Sequence, residues 1–408
     1  MSQNEEKRKH SNWVVLFERN AEGHHLEYLR AHAAALTRQG LAVVVLSPNS
    51  LVLTHAAGLG LSASMATTFG REAPSLDPNI VTQTYSIAMR WRALSQDVDI
   101  LARQRGQSPM FVFFTFLDDF LGSFLPSVLI DYNFRYRCAG LLLRPRSNWM
   151  RPKYSYLRQG WLSPESGLRA KSLFAICTLD EMKSASLSAR TGKPVVLFPD
   201  VADLDSTPSG TDLSRRLISA ARGLVVISLL GTISTRKGLI EFLEAIKSRP
   251  QGIFFFIGGS PSWSSMSDYE RVELRRLMED SGNNAMVCIK SIPDGAEFNS
   301  LVQASSAVYV ASRNFPFSSN ILVKASHFGV PVISDGSYLI GSRVKDHGLG
   351  VVLPETSLST YCKGQAQRDI GALKVDPGFA SRGRAFAAQH SETLLNEAFE
   401  KIVALATK

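Results

Sequence analysis

LLGTISTRKGLIEFLEAI, residues 229–246, reads as a strand end, a turn and a helix in immediate succession. The apolar run 223–230 stops at Gly231, and a helix opens at Gly238 with Leu239, Phe242, Leu243 and Ile246 on one face. A buried strand that passes through a glycine turn into an amphipathic helix is the repeating unit of a doubly wound parallel sheet. The turn also brings Lys237 to the carboxyl end of a strand, where an ammonium can meet a diphosphate. A solvated lysine at a helix start is the plainer reading, so Lys237 needs a second feature beside it.

The alternation extends in both directions. Upstream, continuous apolar strands are expected at residues 13–17, 41–46, 111–116, 140–143, 173–177 and 194–198, with a helix over 24–39 after the first. Downstream come a helix over 239–248, a strand at 253–257, a charged helix near 267–280 and a strand at 285–289. A helix near 296–304, a strand at 307–311, a helix after residue 318, a strand at 330–334 and a long helix over 382–406 follow. Strands that are apolar throughout indicate sheets covered on both faces. The turn-rich segment DVADLDSTPSGTDLSRR, residues 200–216, divides the two sets.

The expected class is therefore α/β, with two Rossmann-like doubly wound domains. The N-terminal domain spans 12–203, a linker 204–222 and the C-terminal domain 223–380, while a C-terminal helix over 381–408 is expected to cross back to the first domain. Ligands of such sheets bind outside the carboxyl ends of the strands, which makes an interdomain cleft the expected site. Residues 51–80, rich in Ala, Gly, Ser and Thr, give no clear element.

Composition narrows the class. The chain has 408 residues, 45% hydrophobic and 20% charged, the balance of a soluble globular protein with two or three domains. No uncharged apolar stretch reaches the roughly 18 residues of a membrane-spanning helix. The opening MSQNEEKRKHSN is polar and no apolar signal core follows, so residues 1–11 are expected to be disordered and the protein cytoplasmic. Cys138, Cys177, Cys288 and Cys362 have no metal-ligand or CxxC spacing and read as buried free thiols. A net charge of +9 calls for an anionic partner: phosphate, acidic glycan, membrane surface or nucleic acid.

The second feature that Lys237 needs lies in FPFSSNILVKASHFGVPVISD, residues 315–335. Ser318, Ser319 and Asn320 are cap-forming residues ahead of an apolar helix that ends at Gly329, with Pro331 just beyond. The N–H groups of its first turn and the helix dipole favour an anion, each such contribution being about 0.3–1 kcal/mol when exposed and about 2 when partly buried. That is too little to hold a nucleotide sugar alone, but enough in combination with Lys237. Asn320, Lys324 and His327 form a polar stripe on this helix, facing either the site or solvent.

Residues 223–355 resemble the donor-binding domain of family 4 glycosyltransferases, which share the GT-B fold. The resemblance rests on Gly231 with Lys237-Gly238, on Ile257-Gly258-Gly259, on the segment 292–301, on the strand 306–312, and on Ala325 with Gly329-Val330-Pro331-Val332. Where that family carries an arginine after the first glycine this chain has Thr232, and its pair of glutamates aligns with Pro316 and Lys324. The N-terminal half resembles it more faintly, through the glycine-bearing turn Glu22-Gly23-His24-His25 and through residues 173–203. The resemblance implies a metal-independent, retaining hexosyltransferase of polysaccharide biosynthesis. No cofactor is implied, and a nucleotide-sugar donor acts as co-substrate.

Site residues follow. Donor contacts are expected from Gly23, Gly231, Thr232, Lys237, Ile292, Ser318, Ser319, Asn320 and Lys324, with Lys324 supplying the second positive charge that Thr232 cannot. A lysine cannot accept a hydroxyl proton, so donor selection must differ from the usual scheme. His24, His25 and Lys237 are the catalytic candidates, the histidines orienting an acceptor hydroxyl or touching the donor phosphate. Glu18, Asp118, Asp119, Arg144 and Arg146 are acceptor-side candidates, and Asp118 and Asp119 serve equally as helix caps. No metal set is evident.

Residues 134–161 interleave seven Arg/Lys with six aromatics and no acid, a patch suited to a phospholipid acceptor, an acidic glycan or peripheral contact with the inner face of a membrane. No nucleic-acid motif accompanies it, and no nucleic acid is expected as partner. The acceptor is a glycan, a lipid-linked or a small hydroxylated molecule. A pseudoenzyme that binds a glycan, nucleotide or partner enzyme stands as the alternative, supported by the missing arginine and glutamates. A sugar-phosphate epimerase of similar fold has no feature in its favour.

Overall fold

The structure is a computed structural model, and it describes residues 12–21, 25–72, 80–121, 126–143, 166–207, 210–279, 284–311, 318–336, 338–353 and 357–408. The chain divides into two compact units, residues 1–199 with 392–408, and residues 200–391.

Among the described residues the first unit holds a seven-stranded sheet. Its strands are β1 (Trp13–Phe17), β2 (Ala42–Ser47), β3 (Ser62–Met65), β4 (Val112–Phe114), β5 (Cys138–Leu142), β6 (Leu173–Thr178) and β7 (Val195–Leu197). Their spatial order is β3-β2-β1-β4-β5-β6-β7, and every neighbouring pair is parallel. The second unit holds a six-stranded sheet of β8 (Val225–Leu230), β9 (Ile253–Gly258), β10 (Ala285–Cys288), β11 (Ala307–Tyr309), β12 (Val332–Ser334) and β13 (Gly350–Val352). The order here is β10-β9-β8-β11-β12-β13, again parallel throughout. In each sheet the first strand lies beside the fourth, so the chain winds outward in both directions from that pair. That is the Rossmann order, and the first and fourth strands enclose a crevice at their carboxyl ends.

Burial explains the continuous apolar strands. Val14, Val15, Leu16, Phe113, Phe114, Ile227, Phe255 and Phe256 are all sealed from solvent between helix layers. After β8, the helix Leu239–Lys247 buries Leu239, Phe242, Leu243 and Ile246 as its spacing predicts, a gross gain of about 1.5–3 kcal/mol per side chain. The four cysteines are free thiols.

The linker expected over 204–222 is not one. Residues Asp212–Ala221 form a helix capped by Thr211 and Ser214 in a reciprocal box, and Leu213, Leu217 and Ala221 enter the core of the second unit. The single helix expected over 382–406 is two, Phe379–Ala388 in the second unit and Glu392–Ala406 in the first. The latter packs on helix His25–Arg38, where Arg30 and Arg38 reach Glu392. Residues 1–11, expected to be disordered, lie outside the described residues. Among the described residues no helix is long and apolar enough to cross a membrane.

Candidate functional site

The crevice between β8 and β11 holds a small pocket lined by Leu230, Arg236, Lys237, Tyr309, Ser319, Ile321 and Ile340 among others. The two features that the sequence required together, Lys237 and the start of the helix after residue 318, therefore share one wall-to-wall space. β8 ends at Leu230, and Gly231 turns the chain with φ of 93°, a conformation that side chains resist. A Cβ on Gly231 would stand 3.0 Å from the Lys237 ammonium, so the glycine also makes room for that nitrogen. Gly259, at the end of β9, closes against the same turn: a Cβ there would lie 1.8 Å from the Gly231 carbonyl oxygen.

The short 3-10 turn Thr235–Lys237 is held from outside. Thr235 donates its hydroxyl to the buried Glu270 carboxylate at 2.5 Å, and Glu270 also accepts from Ser267 N–H at 2.7 Å. Among the described residues, Lys237 Nζ hydrogen-bonds the Leu230 carbonyl alone, at 3.4 Å. Burial, assisted by repulsion from Arg236, lowers the ammonium to about 8. An ammonium that is poorly solvated, weakly bonded and next to a guanidinium is a receptor for negative charge.

Helix Asn320–His327 points its N-terminus at that pocket. Ser319 is the N-cap residue in extended conformation, yet its side chain caps nothing. The dipole end of the helix thus meets the pocket with no cap from the Ser319 side chain. Ser318 does not cap either: its hydroxyl is engaged with Asp200 and Arg343. Asn320 is buried as the first residue of the helix.

Lys324 is a correction. It was expected to bring a second charge to the donor, but its side chain is fully buried and its three donors are taken by Asp203 O at 2.5 Å, Asn299 Oδ1 at 3.1 Å and Asp294 Oδ1 at 2.7 Å. The polar stripe that it forms with Asn320 faces neither solvent nor pocket at this position; it fastens the helix to residues 203 and 294–299. The second cation in the pocket is Arg236, which sequence reasoning passed over although it adjoins Lys237 in the same turn. Thr232 is exposed at the strand end, and Ile292 packs into the second unit's core, its Cδ1 at 3.2 Å from where a Gly258 Cβ would be.

In the first unit, the switch between β1 and β4 carries a different group of side chains. Glu18 follows β1 directly, and its buried Oε1 accepts from Arg19 N–H at 2.7 Å, Asn20 N–H at 2.8 Å and His25 Nδ1 at 2.8 Å. Burial raises the Glu18 pKa, against the pull of His25. The His25 ring lies tilted against Phe116, just past the end of β4, centroids 3.9 Å apart. Glu18, expected to touch an acceptor, instead orients an imidazole. Asp118 accepts the backbone N–H of Leu143 at 2.8 Å and so pins the end of β5, while Asp119 faces Arg19 at 3.8 Å. Gly23, His24, Arg144 and Arg146 lie outside the described residues, as does residues 144–161 of the basic aromatic patch. Of its described part, Arg135 and Tyr136 bond Asp99, and Arg137 donates to the carbonyls of Leu405 and Ala406 at the end of the last helix. Among the described residues no group of three His, Cys, Asp or Glu could hold a metal ion.

The sequence matches no protein-family model and none of the curated proteins compared with it. Solved structures do match. HepE of Anabaena, in complex with UDP and glucose, is 12% identical over 96% of this chain and 99% of that chain, with a TM-score of 0.64. The sucrose-phosphate synthase of Thermosynechococcus elongatus is 13% identical over 96% and 98%, with a TM-score of 0.66. WaaG, a glycosyltransferase involved in lipopolysaccharide biosynthesis, is 12% identical over 96% and 99%, with a TM-score of 0.60. The fold is GT-B. Within it the pocket of the second unit occupies the switch point that the strand order defines.

Proposed function

We propose that this GT-B chain is a glycosyltransferase that takes a sugar from a nucleotide-diphosphate donor bound in the second unit. The observation that carries the reading is the pocket at the β8–β11 switch, where Arg236, Lys237 and an N-terminus without a side-chain cap converge. A diphosphate leaving group gathers negative charge as the glycosidic bond breaks, and fixed cations with helix amides stabilise it without reorganising. Two such cations take the load that a metal ion would otherwise carry, so transfer is expected to proceed without added metal. Support for a nucleotide sugar also comes from neighbours of the same fold whose structures hold UDP or UDP-glucose. The His25–Glu18 pair is the candidate for orienting an acceptor hydroxyl, the carboxylate fixing which ring nitrogen carries the proton. The acceptor is proposed as a glycan or lipid-linked hydroxyl, and the configuration as retained, both on the family resemblance.

The test is a thermal-shift panel of UDP, GDP, ADP and their sugar conjugates. A ligand that binds only the folded state raises the melting temperature by mass action. Stabilisation by one nucleoside diphosphate, lost in Lys237→Met, fits the reading; unchanged melting across the panel defeats it. A second reading, a binding module without turnover, is favoured by the burial of Lys324 where a donor-reading side chain was expected. Slow hydrolysis of the sugar conjugate that stabilises best separates the two, because a binder releases no sugar.

A further inference from the structure

The chain enters the second unit at Asp200 and leaves it after Ser391. Inside that unit the two crossing points are tied to each other. His390 takes the backbone N–H of Asp200 on Nδ1 at 2.9 Å, so Nδ1 acts as acceptor and the ring is held in one orientation. The Asp200 carboxylate accepts the Ser318 hydroxyl at 2.5 Å, and the Ser318 oxygen accepts from Arg343 Nη1 at 2.6 Å. Phe386 lies against both the His390 ring and the Arg343 guanidinium, at 4.7 and 6.0 Å. Asp200, Arg343 and His390 are all buried, and Ser318 immediately precedes the pocket residue Ser319.

Burying a carboxylate and a guanidinium is costly unless geometry and hydrogen bonds compensate, so such pairs are weak evidence for stability and better evidence for specification. Here both charged groups converge on one serine hydroxyl. That serine fixes where the chain stands as it enters helix Asn320–His327, the helix whose first turn faces Lys237. A helix terminus binds an anion well only while its N–H groups stay aimed, because the effect falls off within the first turn.

We propose that Asp200, Ser318, Arg343 and His390 are positioning residues. They hold the first turn of helix Asn320–His327 aimed at a bound diphosphate, and they carry the effect of occupancy to both crossing points of the chain. None of them touches the diphosphate. The proposal rests on the reading of the pocket as a diphosphate site and names the residues that keep that site in register.

Ser318→Ala removes the shared hydroxyl at a half-buried position, and Ser318→Thr restores it. UDP is the probe, with affinity read by calorimetry and backbone order by amide hydrogen exchange. Ser318→Ala should bind UDP about tenfold more weakly than wild type while still folding, with a melting temperature lowered by at most about 10 °C, and Ser318→Thr should recover most of both losses. In wild type, UDP should slow exchange at residues 319–322 and also at 200–202 and 389–391; in Ser318→Ala the slowing at the crossing points should vanish. If Lys237→Met weakens UDP binding by about 30-fold or more while Ser318→Ala leaves affinity and exchange as in wild type, the pocket reading stands and the network is overturned. If wild type binds none of UDP, GDP and inorganic pyrophosphate, the pocket reading falls and this proposal falls with it.

Discussion

Lys237→Met should make the ligand-free protein more stable at neutral pH while it removes affinity for diphosphates. Burial holds the Lys237 ammonium at about 8 against an ordinary 10.5, so the fold disfavours the proton that this side chain carries at pH 7. That gap corresponds to about 3 kcal/mol at 1.36 kcal/mol per unit, an upper bound because the residue is only half-buried by surface area. The sign follows from proton counting. Between about 8 and 10.5 the unfolded chain still binds a proton that the folded chain has released, so wild-type stability rises with pH in that window. Below about 8 both states are protonated and the penalty is constant; methionine, similar in length and uncharged, never incurs it. Urea denaturation should therefore find the variant about 2–3 kcal/mol more stable at pH 7, the advantage shrinking towards zero near pH 10.5. Binding carries the opposite sign. A phosphate charge about 4 Å from the ammonium at an effective dielectric of about 20 gains about 4 kcal/mol before desolvation. A net loss of about 2–3 kcal/mol, roughly 30- to 150-fold in UDP affinity, is expected from calorimetry. Wild-type affinity should also weaken as pH rises through about 8, because the ammonium discharges there. A Lys237→Met variant less stable than wild type at pH 7, or a UDP affinity flat across that titration, would refute the reasoning.

Lys324→Met should destabilise the second unit by about 1–3 kcal/mol, since it leaves the Asp203 carbonyl and the buried Asn299 amide oxygen without their donor; urea midpoints measure it, and equal stability would contradict the structural role. Gly259→Ala should unfold or grossly loosen the β8 turn, because its Cβ would press on the Gly231 carbonyl; a melting temperature within a degree or two of wild type would count against the packing described. Glu18→Gln should not lower stability at pH 7. Burial raises the Glu18 pKa, so the folded protein binds protons that the unfolded chain has lost just above 4.5, stability falls with rising pH there, and glutamine escapes that loss. The same variant should slow transfer to acceptor without weakening UDP binding, as paired calorimetry and turnover assays would show. Donor hydrolysis should survive a chelator, and full loss on chelation with recovery on a divalent ion would remove the metal-free mechanism.

Strands were legible wherever burial made the sequence apolar on both faces, as at 13–17, 225–230 and 253–257. β3, Ser62–Met65, was invisible because it is an edge strand of small, mostly exposed residues that carries no hydrophobic period. The helix Asp212–Ala221 was hidden by the turn-rich segment before it, although Thr211 and Ser214 with Leu213 and Leu217 were a readable start signal. In the site, Lys237 and residue 319 could be paired from their turn chemistry alone. The fate of Lys324 could not, since its three partners come from positions 203, 294 and 299 and only the folded chain brings them to one ammonium.

The ion pair between the buried Lys324 and the solvent-facing Asp294 also constrains what position 324 can hold. A glutamate at position 324, which the family resemblance would lead one to expect, would set two carboxylates against each other where an ammonium now stands 2.7 Å from one. At about 4 Å and an effective dielectric of about 20 such repulsion is worth about 4 kcal/mol. A glutamate at 324 would be borne more easily if residue 294 changed sign with it.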